Sequence, residues 1–178
     1  MAGQTKTLTI EQLEKKANEI RVDIINMLEE AKSGHTAGPL GLADIFTALY
    51  FDIMHYDPKN PELKDRDILL LSNGHCVPVQ YATMAHAGFF DRKELMTLRK
   101  HKSRLQGHPE RHMLPGLENT SGPLGCGLSQ ACGMSLAMRM NGEKNRYIYV
   151  VMGDGELNEG NVWEAAMLAP KYNLNNII

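Results

Sequence analysis

An aspartate held between two glycines, Gly153-Asp154-Gly155, follows the apolar stretch Tyr147 to Met152 and precedes a helical pattern at about 162–172. Glycine permits φ > 0 and lets the backbone approach a ligand closely. The start of the following helix presents free N–H groups, which suits phosphate. A carboxylate at the same turn repels a bare phosphate. A hard divalent cation resolves the conflict by sitting between carboxylate and phosphate oxygens, Mg²⁺ being the usual choice and Ca²⁺ or Mn²⁺ able to stand in. The local chemistry therefore suggests a metal-bridged diphosphate with Asp154 as a metal ligand. A plain strand–turn–helix with Asp154 as a helix cap accounts for the same three residues, and both readings stay open here.

Of the seven histidines, three follow glycine: Ser33-Gly34-His35, Asn73-Gly74-His75 and Gln106-Gly107-His108. Histidines on loops can converge on one pocket, and near neutral pH each can donate, accept or move a proton. That chemistry suits a polyhydroxylated substrate. A zinc site is disfavoured: His108 and His112 are four apart, but Pro109 opposes a helix that would align them, and the others are distant in sequence. For any one of these histidines a structural hydrogen bond is the default. His55, His86, His101 and His112 are read as surface or structural. A glycine-rich segment, Gly122-Pro123-Leu124-Gly125-Cys126-Gly127, precedes a helical pattern. Alone it is any tight loop or helix start, and without a clear preceding strand it is not a Rossmann fingerprint.

The elements that position these residues read as follows. Thr9 with Gln12 forms a capping box, and Leu13, Ala17, Ile20, Ile24, Leu28 and Ala31 recur at helical spacing, with the helix stopping near Gly34. A second helical pattern runs over 42–54. Asp67 to Leu71 reads as a short buried strand ended by Ser72-Asn73-Gly74. Asp91 and Glu94 form another capping box before a short helix. Residues 110–121 read as loop, 128–140 as a helix rich in small residues and Met, and 147–152 as a second strand. Asn175-Asn176-Ile177-Ile178 looks like the opening of a third. Helices alternating with buried strands imply an α/β fold with a parallel sheet, and ligands in such sheets sit beyond the carboxyl ends of the strands, where Asp154 lies.

The chain has 178 residues, about one domain's worth. Hydrophobic residues make up 43% and charged ones 22%, and the net charge is -2, which gives no case for nucleic acid. The N-terminal stretch lacks the apolar core of a signal peptide, and no apolar run approaches the ~20 residues of a membrane span. Three cysteines, Cys76, Cys126 and Cys132, contain no C-x-x-C pair, which argues against a disulfide framework and a zinc knuckle and points to reduced thiols in the cytoplasm.

Over a longer stretch, Gly153-Asp154-Gly155-Glu156-Leu157-Asn158-Glu159-Gly160-Asn161-Val162-Trp163-Glu164-Ala165 resembles the thiamine-diphosphate fingerprint of transketolases. The three Gly-His motifs and the Gly122–Gly127 segment resemble further transketolase motifs, in the family's order, so that the resemblance runs from about Glu11 to Ile178. It implies a thiamine-diphosphate-binding α/β fold, with residues 1–178 forming the diphosphate-binding domain and stopping before that domain ends. It implies that Asp154 holds Mg²⁺, that His75, Gly122, Leu124, Gly153 and Gly155 meet the cofactor, and that His35 and His108 contact the sugar, the three histidines sharing the catalytic handling of hydroxyl protons. Glu159 and Glu164 resemble the acids at the subunit interface; alternatively they are a solvated first helical turn. The motif closes in the family with an Asn about 30 residues on. Asn175-Asn176 comes too early for that, so the metal site is incomplete in this chain. Thr36 stands where Pro is common, and Cys126 where Gln often stands.

The implied activity is transfer of a two-carbon ketol unit from a ketose phosphate to an aldose phosphate of the pentose phosphate pathway. The implied partner is a second, pyrimidine-binding domain or C-terminal subunit, in a homodimer or heterotetramer, without which the chain is inactive. The rival readings are another thiamine-diphosphate enzyme, such as a dihydroxyacetone synthase or a deoxyxylulose-phosphate synthase, or a non-catalytic cofactor-binding subunit.

Overall fold

A computed structural model describes residues 8–178; residues 1–7, on which the absence of a signal-peptide core partly rests, lie outside it. Helix α1 (Ile10–Ala31) begins at the expected capping box: Thr9 Oγ1 accepts from the Gln12 N–H, and Gln12 Oε1 accepts from the Thr9 N–H at 2.9 Å. Ala17, Ile20, Ile24 and Leu28 are buried along one stripe as the spacing requires, together with Met27. The helix stops at Ala31, earlier than Gly34, because Lys32 takes the left-handed conformation (φ 50°). Gly34 is left to turn the chain past Leu28, at φ +131°, where a Cβ would lie 2.4 Å from a Leu28 methyl.

A short helix not expected from the sequence, α2 (Ala37–Gly41), comes first, and the single helix expected over 42–54 is instead two pieces, α3 (Ala43–Ala48) and a π-helical turn (Leu49–Ile53). Phe46, Leu49 and Tyr50 from these pieces enter the core. Strand β1 (Ile68–Leu71) leads through a 3₁₀ turn (Gly74–Cys76) into α4 (Val77–Ala87), whose residues 77–85 are all buried. Asp91 caps the 3₁₀ turn Arg92–Thr97, but Glu94 pairs with Arg104 rather than completing the capping box. Residues 98–125 hold no helix or strand. Buried Leu98, Leu105, Leu114 and Leu117 peg this segment down, and Asn119 donates to the Leu71 carbonyl at the end of β1 (3.2 Å).

Helix α5 (Cys126–Met140), strand β2 (Ile148–Val151), a 3₁₀ turn (Gly155–Asn158) and α6 (Gly160–Lys171) complete the described elements. Strands β1 and β2 pair in parallel, Ile68 opposite Ile148 and Leu71 opposite Val151. The C-terminal residues add to the other side of β2: the Ile148 N–H donates to the Asn176 carbonyl (2.8 Å) and the Val150 N–H to the Ile178 carbonyl (2.9 Å). Side chains alternate across the sheet. Leu69, Leu71, Tyr149 and Val151 face the core built with α1, α3 and α4, whereas Ile68, Leu70 and Ile148 face α5. The result is the expected α/β arrangement, a parallel sheet with helices on both faces.

Candidate functional site

The site lies beyond the carboxyl ends of β1 and β2, where four loops meet. The chain leaving β1 runs Ser72-Asn73-Gly74-His75, and the chain leaving β2 runs Met152-Gly153-Asp154. The Ser72 N–H donates to the Val151 carbonyl at 2.9 Å, so the two exits are tied at their first step. Asp154 is exposed and opens the following 3₁₀ turn, yet its carboxylate makes no capping hydrogen bond. The helix-cap reading of Asp154 therefore lacks the bond that defines it.

The glycines divide into two kinds. Neither Gly153 nor Gly155 adopts a positive φ, so conformational freedom does not explain the Gly-Asp-Gly turn, contrary to one half of the expectation. Close approach is the half that survives. A Cβ on Gly155 or Gly122 would meet nothing within 4 Å, and one on Gly153 would sit in ordinary contact with Asn73. By contrast Gly125 (φ +83°) is required by the fold, since its Cβ would lie 2.3 Å from Asn161 Oδ1. Glycines that packing does not demand, around an uncommitted carboxylate, leave room for a ligand backed by main chain. Two buried oxygens beside this room, Asn73 Oδ1 and Ser121 Oγ, have no hydrogen-bond partner among the described residues, an arrangement that a polar ligand or water would satisfy. The helix N-terminus expected just after Asp154 stands further away: α6 starts at Gly160, after the 3₁₀ turn.

The three histidines of the Gly-His pairs do converge. The rings of His35 and His75 have centroids 5.0 Å apart, tilted by 58°. His75 is in the 3₁₀ turn that leads into α4 rather than in a free loop. His108 is itself exposed yet feels both: partial desolvation first, then the Arg99 charge, then His35 and His75 hold its imidazole below the usual range. A neutral imidazole near pH 7 can accept a hydroxyl proton. Arg99, which the sequence did not single out, donates to Ser33 Oγ (2.9 Å) and reaches the Gly107 carbonyl (3.5 Å), linking the His35 loop to the His108 loop. Ser33, Arg99 and His108 line an open cleft together with Glu110, Thr120 and Ser121.

The remaining histidines lie apart. His86 joins Asp23 (2.9 Å) and Lys16 (3.3 Å) between α4 and α1, and His55 faces Asp65. His101 and His112 are exposed. Among the described residues no three His, Cys, Asp or Glu side chains stand close enough to hold a metal ion, so Asp154 would bring one ligand only. Burial, with the Glu156 charge adding, pushes the Cys76 thiol up to about 11, which keeps it protonated. Leu124 is 37% exposed at the site's rim. Glu159, at the N-cap of α6, and Glu164, within it, are exposed.

One functional candidate carried no role in the sequence reading. Glu156 is buried, and its carboxylate accepts hydrogen bonds from the Ser72 hydroxyl, the Gly125 N–H (2.6 Å) and the Gly153 N–H (3.0 Å). An acid three residues after Gly153, reaching back to that residue's N–H, repeats the logic of a capping box and was the available signal.

Comparison with known proteins bears on this geometry. A family profile described as "Transketolase, thiamine diphosphate binding domain" matches residues 12–178. The chain belongs to the transketolase family. It is 42% identical over 172 residues to one of the subunits of the apulose-4-phosphate transketolase of Actinobacillus succinogenes, covering 96% of this chain and 62% of the relative. It is 40% identical to the 6-deoxy-6-sulfo-D-fructose transketolase subunit SqwG of Clostridium sp., covering 93% and 60%. The fold superposes on a transketolase from Leishmania mexicana with a TM-score of 0.87 at 36% identity, covering 93% of this chain and 26% of that one. This transketolase chain thus spans about 60% of the subunits it matches and about a quarter of the longer enzyme. The family resemblance and the α/β fold expected from the motifs both hold. No helix among the described residues is long and apolar enough to cross a membrane.

Proposed function

We propose that this chain holds the diphosphate and metal of thiamine diphosphate in a ketol-transferring enzyme. The observation that carries the reading is the Gly153-Asp154-Gly155 turn: an exposed, uncapped carboxylate at the end of β2, flanked by glycine positions open to a ligand, beside three converging histidines. Asp154 would take one position on Mg²⁺, with Ca²⁺ or Mn²⁺ as substitutes, and the other protein ligands would come from residues outside those described. The Gly153 N–H already serves Glu156, so Gly153 contributes close approach rather than a hydrogen bond. Gly155 and Gly122 leave space in which the cofactor would sit, and His75 and Leu124 are the side chains that would hold its diphosphate end. When bound, thiamine diphosphate supplies the carbon nucleophile that takes up a two-carbon ketol unit.

The chain's own part in the reaction is to orient and to move protons. His35 and His108 hold the hydroxyls of a ketose phosphate, and neutral His108 accepts a hydroxyl proton, Arg99 keeping the two loops together. The donor and acceptor are sugar phosphates of the kind used in the pentose phosphate pathway. Two of the relatives are named as subunits, which supports a companion chain or domain that brings the pyrimidine-binding half, in a homodimer or heterotetramer. Trp163 and Met167 fall at i, i+4 spacing on α6, 59% and 67% exposed, and Glu159 stands at its N-cap, which supports an interface role for Glu159 and Glu164. The three unpaired thiols suit a reducing, cytoplasmic setting.

The test uses Trp163, the only tryptophan. Thiamine diphosphate titrated into the full-length polypeptide with its companion should change Trp163 fluorescence saturably when Mg²⁺ is present. Asp154→Ala should lose that response, and His108→Asn should keep it while losing most turnover of xylulose 5-phosphate with ribose 5-phosphate. Absence of any cofactor uptake by the unmodified assembly, with or without Mg²⁺, overturns the proposal.

A further inference from the structure

Glu156 is 2% exposed, and no cationic side chain pairs with it among the described residues. A buried carboxylate without a counter-charge is costly unless hydrogen bonds stabilise its ionised form. Both oxygens of Glu156 are satisfied by three donors, from three segments far apart in sequence. Oε1 accepts from the Ser72 hydroxyl, at the exit of β1, and from the Gly125 N–H (2.6 Å), just before α5; Oε2 accepts from the Gly153 N–H (3.0 Å), at the exit of β2. The Ser72 hydroxyl in turn accepts from the Gly127 N–H (2.9 Å). Two glycines make the knot possible: Gly127 leaves room for Ser72, and Gly125 takes φ +83°.

We infer that Glu156 is the positioning residue of the cofactor site: one carboxylate that sets His75, the Gly122–Leu124 loop and Asp154 at fixed distances from one another. This rests on the reading of the site given above. Both side-chain oxygens of Glu156 serve as acceptors here. Glutamine cannot accept at both: with its oxygen kept on Ser72 and Gly125, its NH₂ faces the Gly153 N–H, and flipped, it faces the Gly125 N–H. Either way one loop is released while shape and volume are kept. Glu156 reaches the cofactor only through these loops, so its loss lowers affinity for thiamine diphosphate and leaves the turnover rate at saturating cofactor largely intact.

The experiment compares the unmodified full-length assembly with Glu156→Gln and Ser72→Ala, the latter removing only the Gly127 link and the hydroxyl donor. Amide hydrogen exchange is followed at Gly125, Gly127 and Gly153 without cofactor, and thiamine diphosphate is titrated at saturating Mg²⁺. In Glu156→Gln, exchange at Gly125 or Gly153 should quicken roughly tenfold and the Kd for thiamine diphosphate should rise roughly tenfold, with kcat at saturation within about threefold of the unmodified assembly. Ser72→Ala should quicken Gly127 and raise the Kd by a smaller factor. Unchanged exchange, or an unchanged Kd despite faster exchange, overturns the inference. If Glu156→Gln does not fold, the same readings on Ser72→Ala decide it. If the unmodified assembly binds no cofactor, the functional reading fails by itself, and the exchange data still decide whether Glu156 holds the three loops.

Discussion

At the scale of single residues, the glycines separate what the fold needs from what a ligand needs. Gly125 is in left-handed backbone with no space for a side chain, whereas Gly155 has ordinary backbone and open space. Gly125→Ala should therefore destabilise the protein by about 1–3 kcal/mol, from strain and from displacing Asn161. Gly155→Ala should leave stability unchanged or raise it by about 0.4–1 kcal/mol, because alanine restricts the unfolded chain, while weakening thiamine diphosphate binding. Urea denaturation and cofactor titration of both variants make the check. A Gly155→Ala protein that binds cofactor as tightly as the original would show that the open space serves no ligand. The motif was legible as letters in the sequence, but its reason was only half legible. Whether a glycine answers to φ or to approach depends on what stands opposite it, and Asn161, Ser72 and Asn73 come from distant segments.

At the scale of elements, the register of the sheet is held partly by a side chain outside it. Asp67 precedes β1, and its carboxylate accepts from the His55 N–H (2.9 Å) and the Tyr147 N–H (2.8 Å), which flanks β2. Asp67 is 6% exposed, so an alanine there leaves two poorly hydrated donors unpaired. Asp67→Ala should lose about 1–3 kcal/mol, with faster amide exchange at Tyr147 and Ile68 than at the α1 interior. Equal exchange throughout would mean that the strands keep their register without it. The strands, α1, α5 and α6 were legible because apolar periodicity and caps are local signals. The split of the 42–54 helix into α3 and a π turn was not, since the π turn depends on how Leu49 and Tyr50 fit the core. Helix α4 left no periodic trace because both its sides are buried, so it lacks the polar face that marks a surface helix.

At the scale of the whole molecule, convergence of the three histidines was legible only as a possibility, because loop lengths do not say where loops meet. Its electrostatic consequence can be tested. Partial desolvation, then Arg99, then the other two histidines hold His108 below the usual imidazole range. Burial likewise lowers His86, against the pull of Asp23 and with the help of Lys16 and Arg92. A histidine whose folded pKa lies below its unfolded value of about 6.5 binds more protons when unfolded, so it destabilises the fold as pH drops through that value. Lowered carboxylates such as Asp23 and Glu19 withdraw their support only further down, as pH falls through folded values below their ordinary 3.8 and 4.5. Glu118 opposes the trend: burial raises it despite Arg66, so it loses its unfavourable charge on the way down. Between pH 7.5 and 5.5 the two histidines act where the lowered carboxylates do not, and the urea midpoint should fall. His108→Asn should reduce that fall while leaving the midpoint at pH 7.5 nearly unchanged, since the residue is exposed enough to accept a neutral amide. A midpoint that holds steady or rises toward pH 5.5 would mean that the histidines are as readily protonated in the fold as out of it, and neutral His108 would then lose its claim to accept a proton near pH 7.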